Sequence, residues 1–378
     1  MTTNIQSDSR DRIALMVSNI CKKGGVERVA VNLGSALNQY YDCSIITRWK
    51  SGKYPYNIDE KIKIFNLYTE NKKIQHISVV ALIKICQYLR NNKIKILIVI
   101  GRNNGILPFF VKIFTGIKLI YCEHNAYYYY KYEKENVVYK TFRRMIQYFL
   151  KYIPNYVVTL TERELIHYKN TNVKSCAISN FVDEKLFRDD VTYNQNAKAI
   201  ITVGRIDYQK GYEYLIQVAK RVLVKHPDWK WDIYGDGEQP YKSEILSLVE
   251  KNGLKGKLNF KGTSDNIYKL YCNYSLYIMT SRYEGLPMVL LEAKANKLPI
   301  VSFDIDSGPS DIIRNNLDGY LIEPFDVEEM ANKVNFLIES PEKRKIFSAN
   351  SDVNLEKFSK KNIMNKWLNL INKAKIDL

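Results

Sequence analysis

Short runs of apolar, mostly β-branched residues alternate along the chain with longer stretches whose apolar residues recur at helical spacing. In the first half, the runs that predict strands are Ile13–Ser18, Cys43–Thr47, Ile96–Ile100, Lys118–Cys122 and Tyr156–Leu160. The stretches that predict helices are Val26–Gln39 and Ser78–Leu89, with Ser78 as an N-cap. This alternation is typical of βαβ units, in which helices cover both faces of a parallel sheet.

The alternation weakens in the polar stretch Phe181–Asn196 and then starts again. Further strands are predicted at Ala199–Val203, Trp231–Tyr234, Leu258–Phe260, Ser275–Met279 and Ile300–Phe303, and helices at Tyr212–Lys225, Met288–Asn296 and Lys361–Lys373. We therefore expect an α/β chain of two doubly wound, Rossmann-like domains, residues 1–185 and 198–358, facing each other across a cleft. Residues 359–378 are expected to form a C-terminal helix that returns to the first domain. Ligands of such folds bind at the carboxyl ends of the strands.

The composition indicates a globular protein with no membrane span. Of the 378 residues, 46% are hydrophobic, which is enough for two cores. The six cysteines are scattered without metal-ligand spacing, which favours reduced thiols and a cytoplasmic location. The polar start of the chain lacks the apolar segment of a signal peptide, and no apolar run reaches the ~18 residues of a membrane span.

The net charge of +17 is concentrated in the first half of the chain. Residues 1–190 contain 30 Lys and Arg against 16 Asp and Glu, a net charge of +14, and the remaining residues carry only +3. Such an excess indicates an anionic partner: a nucleic acid, a membrane surface or a phosphorylated substrate. A biased genomic composition would explain the many lysines equally well, but it does not explain the asymmetry.

Two cations lie in the segment Gly204–Gly211, which follows a predicted strand and opens a predicted helix. The free N–H groups at a helix start, together with its partial positive charge, favour phosphate. Arg205 offers a planar fork of donors, and Lys210 offers a mobile point charge. The segment could therefore neutralise a diphosphate, although two solvated surface cations would have the same pattern.

Two glutamates, Glu284 and Glu292, stand eight residues apart around the turn Gly285-Leu286-Pro287. This segment follows the predicted strand Ser275–Met279 and leads into a predicted helix. A carboxylate accepts paired hydrogen bonds from vicinal hydroxyls, which a sugar or a ribose presents. The spacing alone occurs by chance, but its position after a strand, with a Gly-Leu-Pro turn inside it, makes the motif specific.

Two weaker motifs lie at strand ends in the first half. Gly24 and Gly25 follow the first strand and allow close approach of a ligand, but they lack the spacing of a dinucleotide fingerprint and also suit an ordinary turn. His124 follows the strand Lys118–Cys122 and could bind a hydroxyl, although a structural loop histidine is the more common case.

Aromatic and cationic residues are interleaved from Tyr127 to Lys151. Four consecutive tyrosines, Tyr127–Tyr130, precede the stretch Lys140–Lys151, in which cations such as Arg143 and Arg144 are mixed with aromatic residues at helical spacing. Such a helix could lie on an anionic membrane surface. A core helix with a solvated basic face is the alternative.

Together these motifs resemble the retaining glycosyltransferases of the GT-B class, family four. That family has a glycine pair after the first strand, then a G-R…K-G segment, then E-x7-E around a Gly-hydrophobic-Pro turn, and this chain has all three in that order. The resemblance covers nearly the whole chain and is strongest from Ala199 to Pro324. The segment Asp304–Ile313 is similar to members that build bacterial surface polysaccharides such as lipopolysaccharide, where many others have G-G-x-x-E.

The resemblance implies roles in binding a nucleotide-sugar donor. Arg205 and Lys210 would hold its diphosphate, Glu284 would contact the hydroxyls of the transferred sugar, and Glu292 would bind the ribose. The remaining implied donor contacts are the turn Gly285-Leu286-Pro287, the glycines Gly24, Gly25 and Gly204, His124 beside the sugar, and the segment from Gly262 to Ile267 at the base.

The implied reaction is retaining transfer of a hexose or N-acetylhexosamine, with UDP favoured over GDP as the carrier. The acceptor would be an oligosaccharide or a lipid-linked glycan bound by the first domain. Members of this family use no cofactor and no essential metal, because the cations take the place of the metal. The departing diphosphate takes the acceptor proton, so His124 need not act as a base. Stabilising the leaving group is then the main catalytic effect, and losing one such donor costs ~10²–10³ in rate.

A lipid-linked acceptor would place the protein at the anionic inner face of the cell membrane, as a cytoplasmic, peripheral protein. Arg143, Arg144 and Lys151 are the predicted contacts with that surface, each worth about 1 kcal/mol near anionic lipid.

Three other functions remain open. A sugar-nucleotide epimerase would share the fold but bind no acceptor. A nucleic-acid-binding protein would use the positive charge, but the chain has no recognised nucleic-acid motif, so no nucleic-acid partner is expected. A sugar-nucleotide sensor would keep the pocket without catalysis.

Overall fold

The computed structural model describes residues 10–22, 24–49, 53–68, 79–131, 137–182, 184–186, 191–264 and 266–377. The chain divides into two compact units. The first comprises Met1–Tyr127, Glu135–Ile178 and Met364–Leu378, and the second comprises Tyr128–Lys134 and Ser179–Ile363.

The first unit contains a seven-stranded parallel sheet in the order β3-β2-β1-β4-β5-β6-β7. Its strands are β1 (Arg12–Val17), β2 (Asp42–Trp49), β3 (Lys63–Tyr68), β4 (Ile96–Ile100), β5 (Lys118–Cys122), β6 (Tyr156–Thr159) and β7 (Lys174–Ala177). Its helices are α1 (Gly25–Leu37), α2 (Val79–Asn91), α3 (Leu107–Thr115) and α4 (Val137–Leu150). Every residue of β4 is buried, as expected for a central strand covered on both faces.

The second unit contains a six-stranded parallel sheet in the order β10-β9-β8-β11-β12-β13. Its strands are β8 (Ala199–Val203), β9 (Lys230–Tyr234), β10 (Leu258–Phe260), β11 (Leu276–Met279), β12 (Ile300–Phe303) and β13 (Gly319–Ile322). Its helices are α5 (Tyr212–Lys225), α6 (Tyr241–Lys251), α7 (Ile267–Leu270), α8 (Met288–Ala295), α9 (Pro309–Ile312), α10 (Val327–Glu339) and α11 (Pro341–Ala349). Trp231 and the apolar face of α5 are buried in its core.

Strands and helices predicted from apolar runs agree with the structure to within a few residues. Three strands, β3, β7 and β13, were not predicted. All three lie at a sheet edge, where β7 has the sequence KSCA and so lacks an apolar run. The predicted N-cap Ser78 lies outside the described residues.

The boundary between the units follows Ile178, slightly before the polar stretch that was predicted to separate the domains. The residues after it are joined to the second unit, since the Val182 N–H donates to the Phe358 carbonyl at 2.9 Å. The last helix, α12 (Lys360–Ile376), ends in the first unit. There the Tyr156 hydroxyl donates to the Asp377 carboxylate at 2.6 Å.

Candidate functional site

The two motifs of the second unit lie side by side because their strands are neighbours. Strands β8 and β11 are paired in parallel, with Ile201 opposite Tyr277. The segment Gly204–Gly211 follows the carboxyl end of β8, and the segment 280–287 follows the carboxyl end of β11. The two segments therefore meet at one edge of the sheet, where doubly wound folds bind ligands.

The segment after β8 forms a capped 3₁₀ turn that leads directly into α5. The Asp207 carboxylate accepts a hydrogen bond from the Lys210 N–H at 3.2 Å and so caps the turn. Gly211 adopts φ of +64°, and a Cβ there would lie 2.2 Å from the Thr280 carbonyl oxygen. Only glycine fits this position, so the turn is held against the neighbouring segment.

Lys210 and Glu284 form an ion pair at the junction of the two segments. Lys210 Nζ lies 2.6 Å from Glu284 Oε1, and their side chains are 17% and 8% exposed. The Ser281 hydroxyl also donates to Glu284 Oε1 at 2.8 Å, and the Gln209 amide donates to Oε2 at 3.2 Å. Three donors thus orient one carboxylate, which leaves the Lys210 ammonium fixed beside it.

Arg205 lies at the same edge of the sheet but is 72% exposed. Its guanidinium lies 3.0 Å from Asp207 Oδ2. Burial raises the pKa of Asp207, although the nearby charges of Arg205 and Lys210 oppose that shift. The site therefore presents one enclosed cation and one exposed cation.

The turn Gly285-Leu286-Pro287 packs against the segment Asp304–Ile313, which carries the resemblance to polysaccharide enzymes. The Ser307 hydroxyl donates to the Gly285 carbonyl at 3.0 Å. Gly308 adopts φ of +101°, and a Cβ there would lie 2.4 Å from Pro287 Cδ. The segment Ser307-Gly308-Pro309 therefore packs closely against the turn that follows Glu284 and supports it.

Glu292 lies in the second turn of α8 and is buried. The Tyr271 hydroxyl donates to Glu292 Oε2 at 3.4 Å. Burial, followed by the charge of Glu292, raises the pKa of Tyr271 well above its usual range, so this hydroxyl stays protonated as a donor.

Glycines at the ends of three neighbouring strands bring their backbones close together. The Gly235 N–H donates to the Gly262 carbonyl at 2.8 Å. A Cβ on Gly235 would lie 1.9 Å from the Gly204 carbonyl oxygen. Gly235 was not singled out from the sequence, although it ends a predicted strand in the segment Gly-Asp-Gly, which was the available signal.

The other predicted donor residues, Gly24, Gly25 and His124, belong to the first unit. Gly24 precedes α1, and its carbonyl accepts a hydrogen bond from the Tyr56 hydroxyl at 2.9 Å. A Cβ on Gly25 would meet open space. Desolvation lowers the pKa of His124 to about 4, so its imidazole is neutral near pH 7.

The prediction that Arg143 contacts a membrane is wrong. Arg143 is 7% exposed and donates to the Gln147 side chain at 3.2 Å, because it shares a helix face with the buried residues Ile146 and Leu150. Arg144 is exposed on the other face, and Lys151 is partly exposed just after the helix.

Within the described ranges, no group of three or more His, Cys, Asp or Glu side chains is placed to hold a metal ion. No helix among the described residues is both long and apolar enough to cross a membrane. A cavity of about 500 Å³ in the second unit is lined by residues that include Lys198 and Asp228. It lies at the amino ends of β8 and β9, whereas the motifs lie at the carboxyl ends of their strands.

Two family models match the chain and together span most of it. The model described as Glycosyltransferase Family 4 matches residues 23–186, and the model described as Glycosyl transferases group 1 matches residues 183–353.

Relatives and a solved structure match over nearly the full length. An uncharacterised glycosyltransferase of Haemophilus influenzae is 28% identical, covering 95% of this chain and 99% of that protein. The amylovoran biosynthesis glycosyltransferase AmsD of Erwinia amylovora is 29% identical, covering 96% and 99%. A mutant of S. aureus TarM, in complex with Fondaparinux, α-GlcNAc-glycerol and UDP, has a TM-score of 0.77 at 21% identity, covering 96% of this chain and 100% of that one.

The two parallel sheets and these matches define a glycosyltransferase with the GT-B fold. The chain belongs to the family-four glycosyltransferases, and the predictions of fold and family are confirmed.

Proposed function

We propose that this protein is a retaining glycosyltransferase that moves a hexose or N-acetylhexosamine from a nucleotide sugar to a glycan acceptor in bacterial surface-polysaccharide synthesis. The observation that carries the proposal is the ion pair of Lys210 with Glu284, 2.6 Å apart at the carboxyl ends of β8 and β11. A cation for a diphosphate and a carboxylate for sugar hydroxyls are thereby held at one place. The relation to AmsD supports the polysaccharide context.

The proposed reaction follows from the charges at this edge of the sheet. The bond between the anomeric carbon and the diphosphate oxygen breaks, and the acceptor oxygen bonds to the same face of that carbon. The acceptor proton passes to the departing diphosphate. Arg205 and Lys210 stabilise the negative charge that develops there, which is the largest catalytic effect expected. No metal or other cofactor takes part in the proposed reaction.

We propose UDP as the carrier. The TarM structure that shares this fold was solved with UDP, which supports the choice. Glu292 is the proposed partner of the ribose hydroxyls, and the loop from Gly262 is the proposed neighbour of the base. The donor roles of Gly24, Gly25 and His124 in the first unit stay predictions.

We also propose a lipid-linked acceptor and peripheral attachment to the inner face of the cell membrane. One face of α4 supports this: Val137 and Tyr148 are more than half exposed there, as is Tyr152, two residues after the helix. Lys140 and Arg144 are exposed on the same helix. Exposed tyrosines among cations suit the headgroup region of an anionic bilayer.

A liposome assay tests the membrane proposal. The protein should sediment with vesicles containing anionic phospholipid at low salt, and Tyr148→Ser with Arg144→Gln should weaken that binding. The matched control is Arg10→Gln, which removes one exposed cation far along the chain from α4. Equal sedimentation with neutral and anionic vesicles would contradict the proposal.

Transfer assays test the proposed activity. UDP-, GDP- and ADP-sugars are first compared by thermal shift, and sugars that stabilise the protein are then offered with lipid-linked and soluble oligosaccharide acceptors. The expected product retains the anomeric configuration of the donor, as read by NMR. Epimerisation without transfer, or a product of inverted configuration, would refute the proposal.

A further inference from the structure

Arg282 is a buried cation that none of the proposed roles uses. It lies in the segment after β11, and its side chain is 7% exposed. Its guanidinium lies 3.8 Å from the centre of the Tyr208 ring and 4.8 Å from that of Tyr214. It also pairs with the Glu213 carboxylate at 3.0 Å. One guanidinium is therefore enclosed by two rings and an acid that all belong to the segment after β8 or to α5.

The same residue joins the two segments through its hydrogen bonds. Arg282 Nη1 donates to the Tyr208 carbonyl at 2.5 Å, and the Arg282 N–H donates to the Gln209 carbonyl at 2.7 Å. These two acceptors are the residues just before Lys210. Arg282 is also two residues from Glu284 in sequence. It thus contacts the residues just before Lys210 and is close in sequence to Glu284.

The contacts of Arg282 add to the support that the Asp207 cap gives the turn Tyr208–Lys210. Tyr208 is 46% exposed, so burial of its ring in the core does not fix the 3₁₀ turn Tyr208–Lys210. The Arg282 guanidinium contacts both the carbonyl and the ring of Tyr208 and so helps to hold that turn. A lysine could keep the charge, but it has neither the planar stacking surface nor the fork of donors needed for both contacts.

We propose that Arg282 is a positioning residue that sets the placement of Lys210 relative to Glu284, and through it the rate of sugar transfer. The inference rests on the proposed roles of Lys210 and Glu284. A small displacement of a charged group from the reacting atoms is enough to lower a rate by about 10²-fold. Substitution of Arg282 should therefore lower kcat even at temperatures at which the variant is fully folded.

The test compares Arg282→Lys with a matched control, Arg344→Lys, in the same unit. Arg344 is also buried, lies over the ring of Trp229, and donates to the Leu337 and Ile338 carbonyls, away from the motifs. Thermal unfolding is measured first, so that kinetics are compared well below the unfolding temperature of each variant. We expect Arg282→Lys to lower kcat by about 10-fold to 100-fold with a smaller change in donor KM, and Arg344→Lys to keep the wild-type kcat.

A double-mutant cycle separates positioning from general loosening of the fold. Lys210→Ala should lower kcat by ~10²–10³ and leave a residual rate that a radiolabelled donor can detect. If Arg282 acts through Lys210, then Arg282→Lys should lower that residual rate far less than it lowers the wild-type rate. Full additivity in the cycle would overturn the inference.

A second variant covers the case in which Arg282→Lys does not fold. Tyr208→Ala removes the half-exposed ring but leaves the carbonyl that Arg282 Nη1 contacts, and a drop of about 10-fold in kcat is expected. Wild-type kcat in Tyr208→Ala and Arg282→Lys, together with the expected loss in Lys210→Ala, would refute only the role of Arg282. Wild-type kcat in Lys210→Ala would instead refute the proposed function.

Discussion

Replacing Lys210 by Met tests the candidate site most directly, because stability and activity should both change by amounts that the structure sets. The variant keeps the length of the side chain but removes the ammonium that lies 2.6 Å from Glu284 Oε1. Breaking a buried pair by removing one partner costs about 3–5 kcal/mol, since the other charge stays buried. Glu284 keeps the hydrogen bonds from Ser281 and Gln209, at 2.8 and 3.2 Å. We therefore expect Lys210→Met to destabilise the second unit by the smaller amount of about 2–3 kcal/mol.

Glu284→Gln and the double variant complete the cycle. Glutamine keeps the shape of the side chain and removes the charge, so the double variant has no buried charge without a partner at this place. Its free energy of unfolding should therefore fall by less than the sum of the two single changes. Urea unfolding of the four proteins, followed by fluorescence and circular dichroism, measures these differences.

The activity of the same variants gives the second readout. Lys210→Met should lower the transfer rate by ~10²–10³, because it removes one of the two cations that we propose stabilise the departing diphosphate. That loss should persist at temperatures where the variant is fully folded. Wild-type transfer by folded Lys210→Met, or additive unfolding free energies in the cycle, would refute this account of the pair.

Two further predictions concern backbone and charge elsewhere in the chain. Gly211→Ala should lower the unfolding temperature more than Gly253→Ala in thermal scans: both glycines have φ near +65°, but a Cβ lies 2.2 Å from the Thr280 carbonyl at Gly211 and meets nothing within 4 Å at Gly253. Equal shifts would show that the backbone conformation alone sets the cost. The pKa of His124 is lowered from 6.5 to about 4, so the unfolded state binds the extra proton and stability should fall as pH drops from 6.5 towards 4. His124→Asn should flatten that dependence in urea unfolding at several pH values, and an unchanged slope would contradict the assignment.

The strands that carry the site could be predicted because they are central and buried on both faces. Strand β8 has the sequence AIITV, and its apolar run identifies it without further information. Since the strands are parallel, residues that follow neighbouring strands meet at their carboxyl ends, which is why Lys210 and Glu284, each predicted to follow a strand, lie close together. Their distance could not be predicted, because it depends on the capped turn at Asp207 and on the conformation of Gly211.

The error at Arg143 has a physical cause that the sequence did contain. Arg143 lies three residues before Ile146 and seven before Leu150, so all three share one face of α4. Arg143 was assigned to the membrane because cations were counted without regard to their position on the helix.

The environment of Arg282, in contrast, could not be predicted from the sequence. Nothing in the sequence indicates that its guanidinium lies over Tyr208, which is far away along the chain.

The cations at the site differ in how easily each could leave its present partner for a ligand. Arg282 is enclosed by two aromatic rings, so moving it would give up both ring contacts and its pairing with Glu213. Lys210 is 17% exposed and paired with Glu284. Its ammonium can therefore contact a ligand only where it now lies. Arg205 is 72% exposed and paired with Asp207, and such exposed pairs contribute about 0–1 kcal/mol. A diphosphate carries more charge than one carboxylate and presents the paired oxygens that a guanidinium prefers. In the proposed reaction, Arg205 is therefore the cation expected to rearrange onto the donor at little cost, while Lys210 and Arg282 keep their present positions.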